Sequence, residues 1–277
     1  MPTGHESDYV FAGSVPEVYD RHLVPLIFEP YAEDLIARLA QLNLSAVLEV
    51  AAGTGVVTRT MAANLPSSVA ITATDLNQSM IDHAQAVGTS RPVQWQAADV
   101  MDLPFDAASF DAVVCQFGAM FFPDRPRAYA EVGRVLRPGG VFVFNVWDNI
   151  SQNEFADVVS AAVRDLFADY PPMFLARTPH CYFDEATIRA DVSGGGLVVD
   201  RFEVLEARSR AASAEVPAIA YCQGTPLRNE IEALYPSRLG EATAAATTAI
   251  RQRFGAIDVD GKIRAYVITA VKPVRAM

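Results

Sequence analysis

Along the first 150 residues, short apolar runs alternate with stretches whose apolar positions recur at helical spacing. Val47-Leu48-Glu49-Val50 is a run of strand formers. Behind it, Ala51-Ala52-Gly53-Thr54-Gly55 reads as a turn, because glycines let the backbone bend sharply and approach a ligand closely. From Thr54 on, Val57, Met61, Ala62 and Leu65 share one helical face. Val69 to Thr74 predicts a second strand ending at Asp75, and Asn77 an N-cap for a helix with Met80, Ile81, Ala84 and Val87 on one face. Val93 to Ala97 alternates as a third strand that ends near Asp99, and Phe110 to Gln116 is a fourth. A helix from about Asp124 to Leu136 is stopped by Pro138-Gly139-Gly140, and Val141 to Trp147, apolar nearly throughout, is a fifth strand buried on both faces. Strands alternating with helices predict a parallel sheet in an open α/β fold.

The flanks are less regular. Residues 14–43 predict a helical preface broken into pieces by Pro25 and Pro30. After 149, a helix over about 153–168 leads into the aromatic stretch Tyr170-Pro171-Pro172-Met173-Phe174. Asp184 caps a short helix that Gly194-Gly195-Gly196 ends, Leu197 to Ala207 reads as a strand, and 214–254 is helical and rich in alanine. Lys262 to Val271 alternates as a closing strand. With no repeat and no linker-like segment, residues 1–277 read as one domain: preface 1–43, core 44–148, insertions at 149–183 and 209–258, and a last strand at 262–272.

Of the 277 residues, 51% are hydrophobic, which excludes global disorder. A net charge of −11, with lysine only at Lys262 and Lys272, opposes nucleic acid and anionic membranes as partners. Cys115, Cys181 and Cys222 lack disulfide or zinc spacing, so a reducing cytoplasm and no metal are expected. Met1 to Gly13 lacks the pattern of a signal peptide, and no apolar run is long enough to span a bilayer.

The glycine turn discriminates among ligands. A dinucleotide fingerprint needs a third glycine, but Val56, Val57 and Thr58 follow Gly55; a P-loop needs a lysine, and none is near. Glu49-x-Ala51-x-Gly53-x-Gly55 instead resembles motif I of the class I S-adenosylmethionine-dependent methyltransferases, with Ala51 in place of the usual first glycine. An alanine is tolerable there if the backbone is ordinary. Asp75, 20 residues after Gly55, stands where that family places its ribose acid, and Ala98-Asp99-Val100 resembles its adenine-contacting element. Leu103-Pro104-Phe105-Asp106 with Ser109-Phe110-Asp111, and Arg137-Pro138-Gly139-Gly140, are similar to motifs of its type 11 methyltransferase domains.

The resemblance covers residues 44–148 and implies a Rossmann-like open sheet of seven strands, mostly parallel with an antiparallel last strand. It implies S-adenosylmethionine as cofactor and S-adenosylhomocysteine as product. It assigns cofactor contacts to Glu49, Ala51, Gly53, Thr54, Gly55, Asp75, Leu76, Met80, Asp99, Val100, Gln116 and Phe117. Carboxylates suit an ammonium and paired ribose hydroxyls, because each accepts several hydrogen bonds. Methyl transfer from a sulfonium requires orientation and exclusion of water more than acid–base help, so no catalytic residue is dictated. The preface and the two insertions are expected to form an acceptor-side lid, with Tyr19, His22 and His180 as its candidate polar groups. Phe121, Phe122, Met173, Phe174 and Tyr182 point to a small organic acceptor. A non-catalytic protein that binds the same cofactor and a nicotinamide-dependent oxidoreductase are the competing readings.

Overall fold

The computed structural model describes Gly13 and residues 15–274. Seven strands form one sheet in the order β3-β2-β1-β4-β5-β7-β6: β1 is Ala46–Glu49, β2 Ala70–Asp75, β3 Gln94–Ala97, β4 Phe110–Gln116, β5 Leu136–Trp147, β6 Val198–Ser213 and β7 Ile257–Val271. β1 pairs in parallel with β2 and β4, β2 with β3, and β4 with β5. β7 runs antiparallel to β5: Gly139 and Gly140 exchange hydrogen bonds with Lys272, and Asp148 N–H donates to Arg264 O. The expected seven-stranded, mostly parallel sheet with an antiparallel closing strand is therefore present.

Contacts divide the chain into two compact units. The first comprises residues 30–146, 183–205 and 265–277, the second 1–29, 147–182 and 206–264. The core of the first follows from strand alternation. Val47, Ile71, Ala112, Val114, Val143 and Val267 point to one face, where they pack on α2 (Glu29–Leu39) through Ala32, Leu35 and Leu39 and on α3 (Val56–Asn64) through Val57 and Met61. A fully buried leucine such as Leu35 contributes about 2 kcal/mol. Around the same sheet lie α4 (Gln78–Val87) and α5 (Arg125–Val135); Asp124 caps α5 by accepting from Arg127 N–H.

The second unit contains α1 (Val15–Val18), a π-helical stretch Tyr19–Phe28, α6 (Glu154–Leu166), α7 (Phe174–Arg177), α9 (Glu215–Gln223), α10 (Leu227–Leu234) and α11 (Leu239–Phe254). α8 (Glu185–Gly194), capped by Asp184, belongs to the first unit. Glu230 of α10 clamps α7, accepting from the N–H groups of Met173 and Phe174 and pairing with Arg177. No helix among the described residues is long and apolar enough to cross a membrane.

Three local expectations are corrected. Pro25 and Pro30 do not break the preface: Pro25 lies inside the π-helical stretch, whose wider winding relieves the clash of a proline ring with the carbonyl four residues back. Pro30 follows directly, in α2, which continues the π-helical stretch from Glu29 without a gap. Arg137-Pro138-Gly139-Gly140 is not a turn ahead of β5 but an irregularity within it, since pairing jumps from Phe110↔Leu136 to Ala112↔Val141. Gly139 takes φ 78° there, and Arg137 pairs with Asp111. Finally, the helical stretch 214–254 is three helices, and β6 and β7 extend to 213 and from 257.

Candidate functional site

β1 delivers Glu49 to the carboxyl end of the sheet, where the chain turns through residues 50–55 into α3. The turn is closed by hydrogen bonds from Ala52 N–H to Thr74 O (2.9 Å) and from Gly55 N–H to Ala52 O (2.9 Å). Gly53 and Gly55 have φ of 55° and 86°, and a Cβ on Gly55 would stand 2.8 Å from the Trp95 ring. Ala51 also has positive φ, 54°. This corrects the expectation of ordinary backbone there: the left-handed region costs an alanine about 1–2 kcal/mol. Room for its methyl comes from Gly118 beyond β4, where a Cβ would lie 2.5 Å from the Ala51 Cβ.

Asp75 is buried at the end of β2. Its Oδ2 accepts from Gly53 N–H (2.8 Å) and its Oδ1 from Asn77 N–H (2.8 Å). This carboxylate, and not the Asn77 side chain, satisfies the start of α4. Each oxygen keeps capacity for a further donor. Burial raises the Asp75 pKa above the usual carboxylate range, against these backbone hydrogen bonds. Glu49 is fully buried and receives a hydrogen bond from the Thr58 hydroxyl. Burial first, with the nearby Asp75 adding, pushes its pKa up to about 8. Thr54 Oγ1, also buried, has no hydrogen-bond partner among the described residues.

The Ala98 N–H donates to the backbone oxygen of Asp75 (3.0 Å), which brings the Asp99 turn beside the end of β2; Asp99 Oδ1 accepts from Met101 N–H (2.9 Å), and Val100 is half-buried. Leu76 is 61% exposed beside Asp75, an apolar side chain left open, whereas Met80 is buried in the packing of α4. Gln116 and Phe117 end β4. Phe117 has φ 50°, and its N–H is held by Asn145 Oδ1 at 2.9 Å. Cys115 is buried, which pushes its thiol up to about 12 and leaves it unreactive. The structure thus brings Glu49, Gly53, Thr54, Gly55, Asp75, Leu76 and Asp99 to one end of the sheet, with Gln116 and Phe117 alongside.

Tyr19, His22 and His180 fall in the second unit. Tyr19 stacks on Phe28 (5.1 Å), and Phe28 lies against Trp147 (6.1 Å), itself 5.9 Å from the His180 ring. His180 Nδ1 lies 3.0 Å from the backbone oxygen of Asp148. A carbonyl only accepts, so Nδ1 carries the proton and the lone pair sits on Nε2. Burial pushes His180 down to about 4, so it is neutral at pH 7. His22 is half-buried and lowered by burial and then by Arg21. Among the described residues no cluster of His, Cys, Asp or Glu could hold a metal ion.

Two residues escaped the sequence reading. Thr58 gave no signal beyond its helical position, nine residues after Glu49. Asn145 did: it is the single polar side chain in the apolar run Val141 to Trp147, which a buried strand tolerates only where it has work for an amide.

Comparison with known proteins fits this geometry. A family model described as a methyltransferase domain matches residues 48–144. An uncharacterised protein of Mycobacterium tuberculosis is 31% identical over 195 residues, 62% of this chain and 66% of the relative. A ubiquinone/menaquinone biosynthesis C-methyltransferase of Geotalea daltonii is 40% identical over 98 residues, 34% of this chain and 42% of its own length. The chain thus spans less than two thirds of the length of these curated relatives, 66% of one and 42% of the other. Among solved structures, a phosphoethanolamine N-methyltransferase of Haemonchus contortus in complex with phosphomonomethylethanolamine and S-adenosylhomocysteine superposes with TM-score 0.60 at 14% identity, over 96% of this chain and 59% of the other.

Proposed function

We propose that the chain is a class I S-adenosylmethionine-dependent methyltransferase that transfers a methyl group to a small organic acceptor, a reading supported by the methyltransferase-domain match over residues 48–144. The observation that carries the reading is Asp75: a buried carboxylate at the end of β2, hydrogen-bonded to the glycine turn and to the start of α4, with capacity on both oxygens for ribose hydroxyls. The rest of the site fits the cofactor. Glu49 is a buried acid available to an ammonium, Thr54 Oγ1 is an orphaned hydroxyl, Leu76 offers an open apolar surface beside Asp75, and Asp99, in the turn after β3, is the acid we assign to the adenine. When bound, the cofactor supplies a methyl group on a positively charged sulfur, open to in-line displacement. The chain's own residues orient and desolvate the reacting groups. A net charge of −11 disfavours nucleic acid as the acceptor. His180, neutral at pH 7 with its Nδ1 proton directed at Asp148 O, keeps a lone pair on Nε2.

Calorimetry with S-adenosylmethionine tests the reading. The wild-type chain binds, and Asp75→Ala weakens binding by at least about tenfold, the equivalent of ~1.4 kcal/mol. No binding to the wild type, or undiminished binding to the variant, defeats it.

A further inference from the structure

The carboxyl ends of four neighbouring strands carry a polar row. Val47, Ile71, Val114 and Val143 share the face that packs in the core. Side chains alternate along a strand, so Glu49, Asp75, Gln116 and Asn145, each an even number of residues further on, lie on that same face. In sheet order the row reads Asp75 on β2, Glu49 on β1, Gln116 on β4 and Asn145 on β5; Gln116 and Asn145 are direct register partners. From first to last the row crosses three strand spacings, about 14 Å, a span for an extended molecule rather than a single ion.

Asn145 is 0% exposed. Its amide orientation is fixed, because the Phe117 N–H can only donate and lies 2.9 Å from Oδ1. That leaves Nδ2 as the unused hand of the amide, a buried donor without a partner among the described residues. Such a group is costly to leave unmade and marks a place where a ligand oxygen completes the network. Phe117, held by the same amide, has the left-handed backbone (φ 50°) that clusters at binding sites.

The chemistry of the row complements the cofactor in order. Acceptors, the two carboxylates, stand at the ribose end and beside the ammonium; a donor stands at the far end. We propose that Asn145 is a cofactor-binding residue whose Nδ2 donates to the α-carboxylate of S-adenosylmethionine. The assignment rests on the methyltransferase reading above.

The test is a two-by-two comparison of binding by calorimetry, crossing wild type and Asn145→Asp with S-adenosylmethionine and its decarboxylated analogue, which differ only in the carboxylate. Asp keeps the oxygen that Phe117 N–H needs but replaces the donor with a like charge. Asn145→Ala is run in parallel, with circular dichroism confirming that each variant is folded. The expected result is a loss of at least tenfold for S-adenosylmethionine in either variant, and a change of less than twofold for the decarboxylated analogue. Equal losses for both ligands assign Asn145 a purely structural role through Phe117 and overturn the proposal, as does unchanged affinity for S-adenosylmethionine. Failure of the wild type to bind either ligand removes the methyltransferase reading itself, an outcome distinct from these.

Discussion

Glu49 shows how one residue can couple the site to pH. It is fully buried, takes a hydrogen bond from Thr58, and has Asp75 for a neighbour, so in the chain alone its pKa stands near 8 against an ordinary 4.5. A raised carboxyl pKa in the folded state means that the proton favours folding: the contribution is complete below pH 4.5 and is lost as pH rises through 8. An ammonium beside Glu49 favours the ionised form, so binding of the cofactor below pH 8 displaces that proton. Affinity for S-adenosylhomocysteine is therefore expected to rise with pH from 6 to 8 and then flatten. At pH 6.5, titration in two buffers of different ionisation heat should report release of about one proton. Glu49→Gln should remove the slope. A binding heat independent of buffer would place the ammonium elsewhere.

At the level of elements, the connections that pack backbone against backbone are the least forgiving. Gly195, between α8 and β6, sits against α5: a Cβ there would lie 2.5 Å from the Tyr129 Cβ and 2.8 Å from its carbonyl carbon. Neither atom can swing away as a side-chain tip does. Gly195→Ala is expected to destabilise the chain by about 3 kcal/mol in urea denaturation, where Gly196→Ala serves as the contrast. Gly196 has open space but φ 77°, so its loss is conformational and smaller, about 1 kcal/mol. The same elements show what the chain's pattern discloses. β1, β2, β4 and the ends where Glu49, Asp75 and Gln116 sit were legible, because buried parallel strands are apolar runs and each ends at a polar residue or a glycine turn. The positive φ of Ala51 was not, since its tolerance depends on Gly118, 67 residues away, lacking a side chain. The irregularity over residues 137–140 was hidden for a like reason: it is held by Asp111 of β4 and by Lys272. The alanine-rich stretch 214–254 gave helix but not its division into three, which follows from packing rather than propensity.

On the scale of the molecule, the cofactor contacts proposed here, from Glu49 to Asn145, all lie in one of the two compact units. Ligand binding should therefore be readable as protection of named amides within that unit. Gly53 N–H and Asn77 N–H both end on the Asp75 carboxylate, so an opening that exposes either amide also frees the carboxylate proposed to hold the ribose. A ligand that binds only the closed state penalises such an opening by RT ln(1 + [L]/Kd), about 2.7 kcal/mol at a hundredfold excess over Kd. Hydrogen exchange at these two amides should then slow by about a hundredfold with saturating S-adenosylhomocysteine. In Asp75→Ala the two amides lose their acceptor, and both their basal protection and its ligand dependence should fall together. Exchange at Gly53 and Asn77 that ignores the ligand, while calorimetry records binding, would separate Asp75 from the cofactor and move the ribose contact to another residue.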